Sequence, residues 1–261
     1  MKKGVILENN FLNEIIFRID FTTILEISGD NKAAAEKFRK KIFHKFPNVE
    51  ILHQKNVSLD IDLESGYPRI KNDGNLCWIF RNEENNKEVS LTSNNLVLNY
   101  HKGGYVGFKS FLDEILLLIS ALKEYEPFNL NFLGLRYINE INDKEINDSI
   151  NLYVNNNLTN NFLLSDLDNQ NGQLIQLFSK LDFKQDDYFL TIQYGFFNDT
   201  DLPNNEKHFI LDYDCINRNI SDVDEVKDNL RIMNNLIFEK FEYSITDEFI
   251  KKMGEKYDDS N

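Results

Sequence analysis

An apolar run from Phe108 to Tyr125, stopped by Pro127 and followed at once by the strand-like segment Asn129 to Ile141, constrains this chain more than any other stretch. In the run, Phe111, Ile115, Leu118, Leu122 and Tyr125 recur at helical spacing, and Leu116, Leu117 and Ile119 widen the stripe, so it reads as a helix covered on more than one side. Ser110 followed by Asp113 has the spacing of a capping box. The strand behind it carries Gly134, Arg136 and Asn139 among residues that belong in a core. A guanidinium there must be paired or reach an edge, because burying it unpaired is very costly. A carboxylate such as Glu14 or Glu242 would tie the strand to another element. The alternative is a pocket in which Arg136 holds a carboxylate or phosphate bidentately, with Gly134 allowing close approach.

Around this centre the chain divides into strands and helices of ordinary length. Glu14 to Ile24 is dense in branched and aromatic residues, and a helix follows with Asp30 as its expected N-cap and Ala34, Phe38, Ile42 and Phe46 on one face. Short alternating runs at 57–63, 76–80, 88–92 and 96–100 predict an antiparallel meander with one wet face. After Ile141 a polar stretch marks a boundary between units 1–141 and 142–261, which could pack as one globule. Beyond it, short strands are expected at 150–154 and in the runs that follow, clear ones at 188–197 and 208–216, and a second capping box at Ser221 and Asp224. Val223, Val226, Leu230, Met233, Ile237 and Phe241 form the next helical stripe, and Thr246 caps a last short helix. The expected fold is α+β, with two antiparallel or mixed sheets, each covered by a long amphipathic helix.

Composition narrows the function classes. Forty-three carboxylates against 29 Lys and Arg give a net charge of -14, which repels phosphate backbones and anionic lipids and disfavours nucleic acid as a partner. The N-terminus lacks the apolar core of a signal peptide, and no run is long enough to span a bilayer, so a cytoplasmic protein without membrane contact is expected. Cys77 and Cys215 sit in separate apolar contexts and read as core residues.

Few residues suggest chemistry. Asp60 with Asp62, and Asp212 with Asp214, stand at i and i+2, so each pair shares one strand face and could hold Mg²⁺, given a third ligand from among Asp166, Asp168, Asp182, Asp186 and Asp187. The plain alternative is the solvated face of a half-buried strand. His44, His53, His101 and His208 are scattered and form no metal-binding spacing. His101 to Tyr105, with two glycines, has the composition of an anion-holding turn or of a simple corner. GxSxG, Walker A and GxGxxG patterns are absent, and the basic run at 37–41 spreads its charges around a helix.

Gly134, Leu135, Arg136, Tyr137 and Asn139 complete a GLRYxN motif, accompanied in order by Glu14, Ile19 and Phe21, by Tyr105, Gly107, Phe108 and Phe111, by Leu211, Asp212 and Asp214, and by Phe241, Glu242, Ile245 and Thr246. In these features the chain resembles a sporadically distributed family of bacterial and archaeal proteins marked by a central GLRYxN. The family brings no established activity or cofactor. Its patchy distribution resembles that of mobile accessory or anti-phage defence genes. The resulting expectation is a non-enzymatic protein-interaction or sensor component of such a system, without cofactor, whose partner is a protein encoded nearby or a second copy of itself. Arg136, Tyr137, Asn139, Gly134 and Glu242 would be its ligand-binding or structural anchors. The competing expectation is a metal-dependent protein that binds or processes nucleic acid or nucleotides, with Asp212 and Asp214 as metal ligands.

Overall fold

Alternation of apolar and polar residues gives each strand one face for the core and one for water. The computed structural model describes residues 5–7, 11–28, 31–61, 68–142, 152–159, 176–198 and 207–257. Asp30, Asp62, Asp166 and Asp168 lie outside them, as does most of the polar stretch after Ile141. Strands β2 (Leu12–Phe21), β3 (Asn48–Ile61), β4 (Pro68–Asn82), β5 (Lys87–Leu91), β6 (Asn95–His101), β7 (Leu130–Asn142), β8 (Gln176–Gln185), β9 (Tyr188–Asn198) and β10 (Lys207–Asn217) form one nine-stranded sheet in the order β3-β4-β5-β6-β2-β7-β10-β9-β8. Two further strands, β1 (Val5–Leu7) and β11 (Glu255–Tyr257), pair with each other.

The expectation of two sheets, each capped by one helix, is therefore wrong: there is a single large antiparallel sheet with several helices. β2 is paired on one side by β6, and β7 on one side by β10; each needs a second ladder for its remaining backbone groups, and each is the other's neighbour. Hydrogen bonds from Glu140 N to Phe11 O and from Thr22 N to Asn129 O close the two ends of that pairing.

By density of contacts the chain divides into two units, 16–133 with 218–227, and 1–15 with 134–217 and 228–261, so the division passes through β2 and β7. The order of elements repeats. In each, a first strand is followed by a meander whose last strand returns beside the first, and then by a long helix: β2, β3 to β6 and α2 (Phe108–Leu122) in one, β7, β8 to β10 and α4 (Val226–Ser244) in the other. The two Asp-x-Asp segments do not correspond in this repeat, since Asp60 lies on β3 and Asp212 on β10.

In the first unit, helix α1 (Lys32–Ile42) buries Ala34, Phe38 and Ile42, with Phe46 just beyond it, and Phe38 meets Phe80 of β4 at 5.4 Å between ring centroids. Its N-cap is Asn31, whose side chain accepts from Ala34 N at 3.4 Å. Gly107 is the N-cap of helix α2 and makes no side-chain cap, and the chain enters the helix there at a φ of 148° that glycine tolerates. Ser110 lies inside the helix and is not its cap. Tyr125 donates to Ala34 O at 2.5 Å, joining α2's end to α1, and burial pushes its phenol up to about 12.

One polar group sits in this core. Glu114, on the buried side of α2, accepts from Lys87 Nζ of β5 at 2.6 Å and from the Tyr100 hydroxyl of β6 at 2.5 Å, with Lys45 Nζ at 3.4 Å. Lys87 also lies over the rings of Phe46 and Tyr100.

In the second unit, of the run expected as a strand at 150–154 only 152–154 lies among the described residues, and these supply an isolated bridge, Val154 to Ile245, before the single helical turn α3 (Asn156–Thr159). Asp222, not Ser221, caps the entry to α4 by accepting from Asp224 N in the first unit's short 3-10 turn. Thr246 caps α5 (Asp247–Met253) as its sequence predicts, accepting from Phe249 N at 3.2 Å, and Phe249 is fully buried.

Candidate functional site

The GLRYIN segment is distributed by alternation to both faces of β7. Leu135, Tyr137, Asn139 and Ile141 are buried on one side, while Arg136, Ile138 and Glu140 occupy the other and are half-buried. β10 behaves likewise. Phe209, Leu211, Tyr213 and Cys215 are fully buried, and His208, Ile210, Asp212 and Asp214 face the same way as Arg136. Burial and the neighbouring charge of Asp214 push the Cys215 thiol up to about 12, so it is an inert core residue.

Tyr137 and Asn139 serve the covered side. The Tyr137 hydroxyl donates to Asn234 Oδ1 of α4 at 2.8 Å, and Asn139 Nδ2 donates to Leu211 O of β10 at 3.2 Å. Together they fix β7 to a helix and to its neighbouring strand. Glu242 is half-buried on α4.

On the open side, Arg136 makes the ion pair that its place in the strand demands, and its partner is Asp212 on the neighbouring strand. Nε donates to Oδ1 at 2.8 Å and Nη2 to Oδ2 at 2.6 Å, a bidentate fork. The Asp212 side chain is 8% exposed and the Arg136 side chain 40%. Hydrogen bonding to Asp212 raises the Arg136 pKa, and the charges of Asp212, Asp214 and Glu14 add to that, so the cation is secure.

A second pair lies four residues along both strands, where His208 Nδ1 meets Glu140 Oε1 at 2.6 Å. The two pairs run in opposite directions along β7 and β10, as an antiparallel ladder requires. This pair was missed in the sequence, although the alternation of HFILDYD puts His208 and Asp212 on one face. Its partner, Glu140, could be found only once β7 and β10 were known to be neighbours.

The open face continues across β9 and β8. Asp212 is opposite Gln193 and then Lys180, Asp214 is opposite Thr191 and then Asp182, and Ile210 is opposite Gly195 and then Phe178. Thr191 donates to Asp182 at 2.7 Å, which with Lys180 lowers the Asp182 pKa. Phe178 and Phe189 flank these polar rows and are 47% and 44% exposed. At Gly195 the strands approach so closely that a Cβ would lie 1.9 Å from Leu177 O.

Asp214 is the titratable group under most tension here. Burial raises its pKa above the ordinary 3.8, Arg136 opposes the rise and the charge of Asp212 adds to it. A carboxyl whose folded pKa is raised favours folding when protonated. That contribution is complete below the unfolded value and is lost as pH rises through the folded one. Asp214→Asn should therefore melt above the parent protein at pH 7, with the difference shrinking below about pH 4. Thermal melts of both proteins across that range check it, and a constant difference at all pH values would contradict it.

Among the described residues no three His, Cys, Asp or Glu side chains converge as metal ligands would, and both Asp212 oxygens are engaged by Arg136. The 101–104 turn closes through Gly104 N to His101 O at 2.9 Å, and a Cβ on Gly104 would lie 2.4 Å from Asn85 O, so this glycine serves a tight corner. Of the basic residues on α1, Lys41 is 3.1 Å from Glu124, Arg39 is 3.4 Å from Glu36, and Lys37 lies over Tyr125. No helix among the described residues is long and apolar enough to cross a membrane.

No protein-family model matches the chain, and no curated protein matches it. Among solved structures, the S. pombe Pct1 RNA triphosphatase aligns over 90% of this chain and 82% of its own, at 8% identity and a TM-score of 0.11, a likeness that carries no argument.

Proposed function

We propose that this chain is a protein-binding component, using the open face of β7 to β10 as its contact surface. The observation that supports the reading is the composition of that face. Arg136, held by Asp212 with its side chain 40% exposed, stands on β7 at one side of that face, and Phe178 on β8 and Phe189 on β9 are exposed farther across it. Arginine and aromatic side chains that are already ordered lose little entropy on contact and dominate the energetics of protein interfaces. An arginine committed to an internal carboxylate is less suited to grip a phosphate, and Asp212 so engaged is less suited to a metal.

The test uses the tagged full-length chain as bait in its native host. A defined protein recovered by the parent chain, and lost with a folded Phe178→Ser/Phe189→Ser variant, is the expected result. Equal recovery by that variant would remove the proposed surface. Mg²⁺-dependent hydrolysis of nucleotides or nucleic acid by the purified chain, abolished in D212A/D214A, would overturn the non-enzymatic reading.

A further inference from the structure

At the other end of the sheet order, in the other unit, β3 is an edge strand of 14 residues, paired to β4 in unbroken register from Asn48 opposite Arg81 to Ile61 opposite Pro68. β5 pairs with β4 only over Trp78–Asn82. Beyond that, the ten pairs from Leu52 opposite Cys77 outward have no third strand among the described residues. At about 3.3 Å per residue this makes an arm of roughly 30 Å. Two strands alone are marginally stable in water, and natural edges of such length are usually blunted by bulges, prolines or several lysines. β3 has an unbroken register, no proline and a single lysine. At its base Val49, Ile51, Leu52 and, on the preceding helix's end, Phe43 are all more than a third exposed.

The strand's sequence indicates what covers it. Around Gln54, Val49 is matched by Leu59, Ile51 by Val57 and His53 by Lys55, each at equal distance. We infer that β3 is the contact for a second copy of this chain, with two β3 strands paired antiparallel about a twofold axis through Gln54. Self-pairing of this kind requires an isologous patch, in which residue i meets j and j meets i. In this register position Ile51 meets Val57, Val49 meets Leu59, Glu50 meets Ser58 and Asn48 meets Asp60. Centring the axis on Lys55 would set Lys55 against itself and Glu50 against Asp60, and centring it on His53 would set Ile51 against Lys55. Of these three axes, only the one on Gln54 matches both Val49 and Ile51 with apolar positions and opposes no like charges, while Leu52 meets Asn56. The ladder then continues from one copy into the next and the arms gain a partner strand. This inference stands apart from the proposed partner face on β7 to β10.

The full-length chain, measured by light scattering over a range of concentrations, should have twice the 30.7 kDa chain mass. Ile51→Lys and Val57→Glu, each alone, should weaken dimerisation at least tenfold. Mixed together they should restore a heterodimer, because the introduced lysine then faces the introduced glutamate across one half of the interface, while the unaltered Val57 of one copy faces the unaltered Ile51 of the other across the second half. A monomer at all concentrations overturns the inference. So does a dimer indifferent to either substitution, or two folded variants, checked by circular dichroism, that do not recombine on mixing.

Discussion

Replacing Glu114 with Ala should destabilise the protein by about 3–5 kcal/mol, the cost of breaking a buried ion pair from one side. Lys87 would lose its 2.6 Å partner in a site where its own side chain is 7% exposed, and the Tyr100 hydroxyl would lose its acceptor. Burial, the largest cause that raises the Tyr100 pKa, remains in the variant, so the phenol stays a donor and cannot compensate by ionising. Lys45, 3.4 Å from the carboxylate but 45% exposed, can turn to water and should contribute little. Lys87→Met combined with Glu114→Leu should recover much of the loss, since apolar replacement of both partners removes the unpaired charge. Urea denaturation of the two single variants and the double variant measures this. Equal losses for Lys45→Met and Glu114→Ala would contradict the assignment.

The second large effect belongs to Arg136. Arg136→Met leaves Asp212 with its side chain 8% exposed and without its bidentate donor, and should cost about 2–3 kcal/mol, the range for hydrogen bonds to a charged group plus the desolvated remainder. Asp212→Asn should cost less, because the arginine side chain is already 40% exposed and its guanidinium can rehydrate. The asymmetry is the useful signal. An ordinary surface pair would lose under about 1 kcal/mol from either side.

How far the sequence led can be seen from these two clusters. Local periodicity carried the elements: Phe111, Ile115, Leu118, Leu122 and Tyr125 are all buried as their spacing requires, and the strands at 188–197 and 208–216 formed nearly to the residue. Glu114 gave no such signal, because an acidic residue beside an apolar run reads as a flank. Its buried partners, Lys87 and Tyr100, come from strands that only the tertiary fold brings beneath α2. The number of sheets was also out of reach, since nothing in the local sequence of β2 or β7 says that each is the other's neighbour. Arg136 was recognisable as a residue that must be paired, but choosing Asp212 over Glu14 or Glu242 required the β7–β10 adjacency. Asp212 and Asp214 looked alike in sequence, and differ because only the first meets the guanidinium fork.

The most direct test of the view that the GLRYIN strand is a structural and contact element is a double-mutant cycle between Arg136 and Asp212. Folding free energies of the parent, Arg136→Met, Asp212→Asn and the double variant should show a coupling of at least about 1 kcal/mol, well beyond the additivity expected of independent sites. Additivity within about 0.3–0.5 kcal/mol would mean that the pair does not hold the strand in place, and would contradict the account.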